Sequence, residues 1–155
     1  MSDAFHVDAE PIKRWGRKSA AQWPAISDDE HGRALQRGGH RARAAGNRRV
    51  KRWSGELQDT SSVTTTKRGP SHEVQVLWPA KQAHWVERGR KAFSAPEGRM
   101  LRWETRTGEV VFAKSVKAAP AQWFARRGLQ DARAGIRQEV AEGTRRAIRR
   151  FEALG

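Results

Sequence analysis

From Gln122 to the end of the chain, Phe124, Leu129, Ala132, Ile136, Val140, Ala147, Phe151 and Leu154 recur at steps near three and four. That period places them on one stripe of a long helix whose outer side is rich in arginine, and such a stripe needs a partner to cover it. A candidate partner lies in the first third of the chain. The run SDDEHGRALQRGGHRARAAGNRR opens with Ser27 as an N-cap and Glu30 three residues on, with Asp28 and Asp29 at the positive end of the predicted helix. Its inward face would be His31, Leu35, Gly38, Ala42 and Ala45, small residues that let another backbone approach closely. Gly38 and Gly39 each cost roughly 1 kcal/mol against alanine, so this helix needs a neighbour to hold its shape. Upstream, Ile12, Trp15, Ala20 and Trp23 predict a separate short amphipathic helix over residues 8–23, stopped by Pro24. Residues 1–26 are thus expected to form an N-terminal arm or short helix, and residues 27–155 one domain, as suits a chain of 155 residues.

After Gly46 and Asn47 the pattern changes to strands. Residues 56–67 are rich in Thr and Val, and residues 72–78 alternate Val74, Val76 and Trp78 with polar side chains, around a turn at Arg68-Gly69-Pro70. Residues 79–89 read as a short helix closed by Gly89. In residues 99–116, Met100, Leu101 and Trp103 face Val110, Val111 and Phe112 across Thr107-Gly108, a second hairpin. Residues 66–72 and 90–98 read as loops. Helices flanking two hairpins predict an α+β domain with an antiparallel sheet, packed with an N-terminal basic helix and a long C-terminal helix.

Composition limits the chemistry. With no cysteine, disulfides, thiolate metal sites and thiol catalysis are excluded. The five histidines show no pair at the spacing that metal ligation on one element favours, so no metal and no cofactor are expected. Catalytic serine motifs, a phosphate-binding loop and a dinucleotide glycine pattern are missing. His84 and Glu87 stand one helical turn apart and could exchange a proton, although an ion pair beside a packed Trp85 reads more simply. An enzyme is not expected. The N-terminus lacks the apolar stretch of a signal peptide and no run approaches a membrane span, so we expect a chain made in a reducing aqueous compartment, with no membrane partner.

The formal net charge of +14 predicts attraction to polyanions or to acidic protein surfaces. Arg41, Arg43, Arg48 and Arg49 belong to a run without an intervening acid, and Arg145, Arg146, Arg149 and Arg150 stud the last helix. They could neutralise phosphates, with interleaved tryptophans stacking on bases. Equally, they could be solvated or pair with an acidic neighbour. For Trp85, Trp103 and Trp123, with apolar neighbours, a place in the core is the simpler reading. No nucleic-acid-binding signature accompanies the arginines.

Three short stretches then follow one another in order: RWSGELQDTSSV (52–63), QAHWVERG (82–89) and PAQWFARRGLQDA (120–132). Preceded by a basic small-residue helix and followed by a long terminal one, this arrangement resembles the phage minor tail component family, the neck or tail-completion proteins of long-tailed double-stranded DNA bacteriophages. The family pattern runs from an Arg-Thr-Gly-x-Leu-x-x-Ser turn through Tyr-Ala-x-x-Val-Glu-x-Gly to Pro-x-x-Pro-Phe-x-x-x-Leu. Here Ser54, Gly55, Leu57 and Ser61 or Ser62 stand for the first motif, with Ser for Thr and the last serine displaced. Ala83, Val86, Glu87 and Gly89 match the second, with Gln82 where an aromatic is usual, and Pro120, Phe124 and Leu129 match the third, with Trp123 replacing the second proline and Gly128 standing where alanine is common.

The resemblance covers residues 27–150 and implies a structural virion protein of the head-tail connector, assembled in the bacterial cytoplasm. Its implied partners are a head-closure (stopper) protein, a tail terminator or tail tube protein, and copies of itself in a ring of six-fold or twelve-fold symmetry. Nonspecific contact with the genomic double-stranded DNA would accompany passage through the channel. Gly55 would allow a tight turn into a strand, Glu87 would bind backbone amides or a neighbouring arginine as a joint between subunits, and Pro120 with Phe124 would start the last helix. Residues 90–119, longer than the family pattern needs, would form a hairpin arm. The alternative reading is a non-enzymatic basic nucleic-acid-binding protein.

Overall fold

The computed structural model describes residues 10–50, 55–105 and 107–154, with the side chain of Ile12 excepted. Ser54, with Lys51 and Arg52 of the basic run, lies outside the described residues. The architecture is α+β. Two long helices, α1 (Glu10–Arg49) and α4 (Phe124–Glu152), enclose in sequence a short α2 (Glu56–Asp59), a hairpin of β1 (Ser62–Arg68) and β2 (Ser71–Leu77), α3 (Ala83–Arg88), and a ribbon made by β3 (Phe93–Ser94), β4 (Leu101–Glu104), β5 (Val110–Ala113) and β6 (Ser115–Val116).

α1 and α4 pack antiparallel along a seam of small residues. Ala34, Gly38, Ala42, Ala45 and Gly46 are buried on α1, against Gly128, Ala132, Gly143 and Ala147 on α4. Contact is closest where Gly128 meets Gly46: a Cβ on Gly128 would lie 2.5 Å from the Gly46 Cα and N. No other residue type permits that approach, so the glycine pair sets both the spacing and the rotation of the two helices. The small inward face of α1 is as the sequence predicts. On α4 the predicted stripe is turned, because Gly128 points inward and Leu129 is 56% exposed. Leu154, expected on the same stripe, is also exposed.

α1 is one helix, not the two expected, and Pro24 lies inside it. Proline removes one intrahelical hydrogen bond and crowds the preceding turn. Tertiary contacts hold the helix through this defect: Trp15 and Trp23 meet the Phe151 ring edge-on at centroid distances of 6.4 and 5.7 Å, and Ile26 is buried. The capping residues predicted at Ser27 and Glu30 are accordingly not caps. Ser27 Oγ lies 3.2 Å from His31 Nδ1, and the buried Glu30 accepts from Arg146 on α4.

The β1-β2 hairpin pairs in continuous register from Ser62↔Leu77 to Arg68↔Ser71, so residues 66–72 are a paired tight turn and not a loop. Residues 56–59, expected in the first strand, form α2 instead. Val63 and Val74 lie on Gly39 of α1, where a Cβ would meet their methyl groups at 2.7 and 2.5 Å. The second hairpin forms around Gly108 as predicted, and it is extended by β3 pairing with β6. Part of the segment 90–98 expected as a loop is therefore strand. Residues 95–100 stand between paired residues with almost no counterpart on the opposite strand, so the ribbon bends there.

Candidate assembly joint

Residues from each of the three sequence motifs meet at the end of the helix pair where α1 finishes and α4 begins, whereas Leu129 of the third motif lies exposed on α4. Leu57 from the first, Ala83 and Val86 from the second and Phe124 from the third enter one apolar cluster with Val50, Ala80, Trp78 and Ala125. Phe124 is 1% exposed and its ring meets Trp78 edge-on at 5.2 Å. Burial of such a side chain contributes about 2–3 kcal/mol. Trp78 also donates its indole N–H to Asn47 at 2.8 Å, which ties the cluster to the last turns of α1.

Glu87 fixes the start of α4 with three acceptors. Its backbone carbonyl accepts from the Trp123 N–H at 3.0 Å, and its two carboxylate oxygens accept from the amides of Ala125 at 2.9 Å and Arg126 at 3.2 Å. The residue before α4, Trp123, has left-handed backbone geometry (φ 51°) and gives no side-chain cap. Glu87 supplies from another element the anion that a helix N-terminus attracts. The sequence suggested that Glu87 binds backbone amides; those amides belong to its own chain. With the carboxylate so occupied, no hydrogen bond joins it to His84, whose ring instead lies 5.4 Å from that of Trp85.

Gly89 follows α3 with φ 78° and ψ 175°, and a Cβ there would come within 2.7 Å of the Ala119 carbonyl oxygen and the Ala121 nitrogen. The chain can therefore turn directly into the base of the ribbon, where Arg90 and Ala119 exchange hydrogen bonds of 2.9 and 3.0 Å. Pro120 lies in this same segment, exposed, four residues ahead of the helix and not at its first turn. Gly55, at φ 77°, turns the chain into α2, and Gln82 ties α2 to α3 through Glu56 at 2.8 Å. Around the joint opens a cleft of ≈ 770 Å³ walled by Gly55, Leu57, Trp85, Val86 and Pro120, with Thr105 and Thr107 of the ribbon tip on its far side.

The three tryptophans expected in the core are on the surface: Trp85 is 47%, Trp103 42% and Trp123 38% exposed. Small residues fill much of the space between the long helices, and among the described tryptophans Trp78 alone reaches the joint cluster.

The arginines divide into two groups. Arg41 and Arg37 both bind Glu139, which is buried, and hold its carboxyl below the ordinary value, Arg37 more strongly. Arg49 grips Asp131 with two hydrogen bonds, Arg146 binds Glu30, and Arg150 binds Asp29 and Glu30. Arg43 donates to the Ser61 carbonyl at 3.3 Å. By contrast Arg48, Arg145 and Arg149 are exposed and make no ion pair among the described residues, as is also true of Arg126, Arg127, Arg133 and Arg137. Glu139 and Asp131 were not singled out by the sequence, and Glu30 only as a cap. A signal was present for Glu139: it falls on the inward stripe between Ile136 and Gly143, where an acid needs a cation from the facing helix.

Asp28 binds Lys67 and His72, fastening the first hairpin to α1, and its carboxyl is held below the ordinary value by Lys67 foremost and then by His72. Among the described residues no cluster of three His, Asp or Glu could hold a metal ion, and no helix is long and apolar enough to cross a membrane. Compared with known proteins, the chain matches no family model, no curated protein and no solved structure.

Proposed function

We propose that this chain is a structural component of the head-tail connector of a long-tailed bacteriophage, joining or completing the tail at the head as part of a ring. The observation that supports this reading is the convergence of the three motifs. Segments distant in sequence supply Leu57, Val86 with Glu87 and Gly89, and Phe124 to one joint, which fixes the long helices to the root of the ribbon. Motif residues committed to packing, turning and capping in this way serve shape and not chemistry. The large apolar side chains left on the surface, among them Trp15, Trp85, Trp103 and Phe112, suit a chain that completes its burial in an assembly. In this reading the chain sits in the virion neck, between the head-closure protein and the tail terminator or tube, beside further copies of itself. Contacts with passing DNA would be weak and without base readout.

A second reading, a free basic nucleic-acid-binding protein, is favoured by one observation: the outer face of α4 carries exposed arginines with no acid to pair with among the described residues. The two are separated by complementation in extracts. Purified protein added to heads and tails made without it should restore infectious particles; failure to do so, together with a steep salt dependence of duplex binding, would favour the second reading.

A further inference from the structure

The fold sorts the charges of α4 by side. Its acids are held along α1: Asp131 is gripped by Arg49, the buried Glu139 by Arg37 and Arg41, and Glu142 stands 3.7 Å from Arg146, which also binds Glu30. The opposite side keeps its arginines. Arg126, Arg133, Arg137, Arg145 and Arg149 follow one another at steps of seven, four, eight and four, which holds them on one side of a helix of 3.6 residues per turn. All five are exposed and make no ion pair among the described residues. The exposed Gln130, Ala134, Gln138 and Ala141 that separate them on this side carry neither charge nor ring, and Glu152 comes only in the last turn. The ribbon is different, because its exposed cations Lys91, Arg99, Arg102 and Lys114 are interspersed with the exposed Glu97, Glu104 and Glu109.

We propose that this outer side of α4 is the surface that meets double-stranded DNA, lying against its phosphates. Arginine suits phosphate because its guanidinium offers paired donors in a fixed plane. From Arg126 to Arg149 the helix runs roughly 35 Å at 1.5 Å per residue, about the length of one duplex turn. Both partners are stiff, so fixed arginines meet phosphates at a fixed spacing without either having to be ordered first. A single strand gains its affinity by stacking bases on aromatic rings, and none stands between Arg126 and Arg149. Duplex DNA also carries one charge per ~1.7 Å of its axis, so an unbroken row of arginines finds phosphates in every register and reads no sequence. The inference rests on the contact with DNA that both readings of function include, and it names the surface and the strandedness.

Fluorescence anisotropy tests it with labelled duplexes of two unrelated sequences, an oligothymidine strand of the same length, and polyglutamate. The wild-type chain should bind both duplexes alike, bind the single strand and polyglutamate more weakly, and release the duplex as salt rises. Arg133→Gln, Arg137→Gln, Arg145→Gln and Arg149→Gln together should lower the salt slope by about three to four. Arg→Lys at the same four positions keeps the charge and should keep most of the slope. Removing as many charges from the ribbon, with Lys91→Gln, Arg99→Gln, Arg102→Gln and Lys114→Gln, should leave the slope largely in place. No duplex binding at low salt, single-strand binding as tight as duplex binding, or a slope lost with the ribbon cations instead of those of α4 would overturn the inference. Tighter binding to polyglutamate would also overturn it and give the face to an acidic protein. Complementation of heads and tails reads the neck assignment separately. A chain that complements without binding duplex removes this inference alone, and one that binds through α4 without complementing keeps it and removes the neck reading.

Discussion

Gly128 and Glu87 set how the two long helices and the joint fit together, by close approach in one case and by capping in the other. A methyl group at Gly128 would enter the backbone of Gly46, whereas one at Gly16, also in a long helix, meets nothing within 4 Å. Gly16→Ala should therefore raise stability by about 1 kcal/mol, the ordinary helix preference. Gly128→Ala should lower it by about 1–3 kcal/mol despite the same preference, since the helices must move apart; urea denaturation of the two variants measures the contrast. Glu87→Ala removes the anion at the start of α4 and should cost about 1–2 kcal/mol. Gly89→Val is more severe, because it combines a positive φ with a clash at 2.7 Å against the ribbon root. Its expected outcome is a soluble chain whose ribbon amides lose protection from hydrogen exchange. Gly89 and Glu87 were legible in the sequence because a motif held them at a fixed spacing. Leu129 misled for a physical reason: hydrophobicity marks a helix's greasy stripe, but the line of closest approach is set by glycine, and on α4 that line passes through Gly128.

At the scale of elements, α4, the second half of α1 and both hairpins were legible because their periods of 3.6 and 2 run long enough to be counted, whereas α2 was read as strand and α1 as two helices. What was not legible depends on partners from distant sequence. Pro24 ends a helix in isolation, yet α1 continues because Phe151 and Ile148 on α4 form a wall for its first turns. Trp85, Trp103 and Trp123 read as core from their apolar neighbours, but the seam between the long helices is lined mostly by small residues, and the indoles remain outside. The seam also carries part of the pH response, beside that of Asp28 at the hairpin. In the folded chain the Glu139 carboxyl is held below its ordinary value by Arg37 and then Arg41. A depressed carboxylate contributes stability that is fully present above its unfolded value, about 4.3, and is lost as pH falls through the lower folded value. Thermal melts between neutral and acid pH should show this loss below that point. Glu139→Gln should be less stable at neutral pH and show a flatter acid limb; equal slopes for the two proteins would exclude Glu139 as a source.

For the whole molecule, the net charge of +14 is a sum over two unlike populations. Arg41, Arg49, Arg146 and Arg150 are committed to acids across the helix seam, and sequence could not distinguish them from Arg133, Arg137, Arg145 and Arg149, which face outward. Replacing the outward group with glutamine should leave folding intact and reduce the salt slope of any duplex binding by roughly one for each phosphate no longer neutralised. Replacing the committed group should lower the melting temperature with a smaller change in slope. In the proposed reading these charges would tune contact with DNA or acidic neighbours, and the joint with its exposed apolar surroundings would suit a part that is built into an assembly. The most direct test of that account is electron microscopy of the particles made when this gene alone is disrupted, beside those of the intact phage. The account predicts DNA-filled heads and separate tails; intact, infectious particles in the disrupted lysate would contradict it.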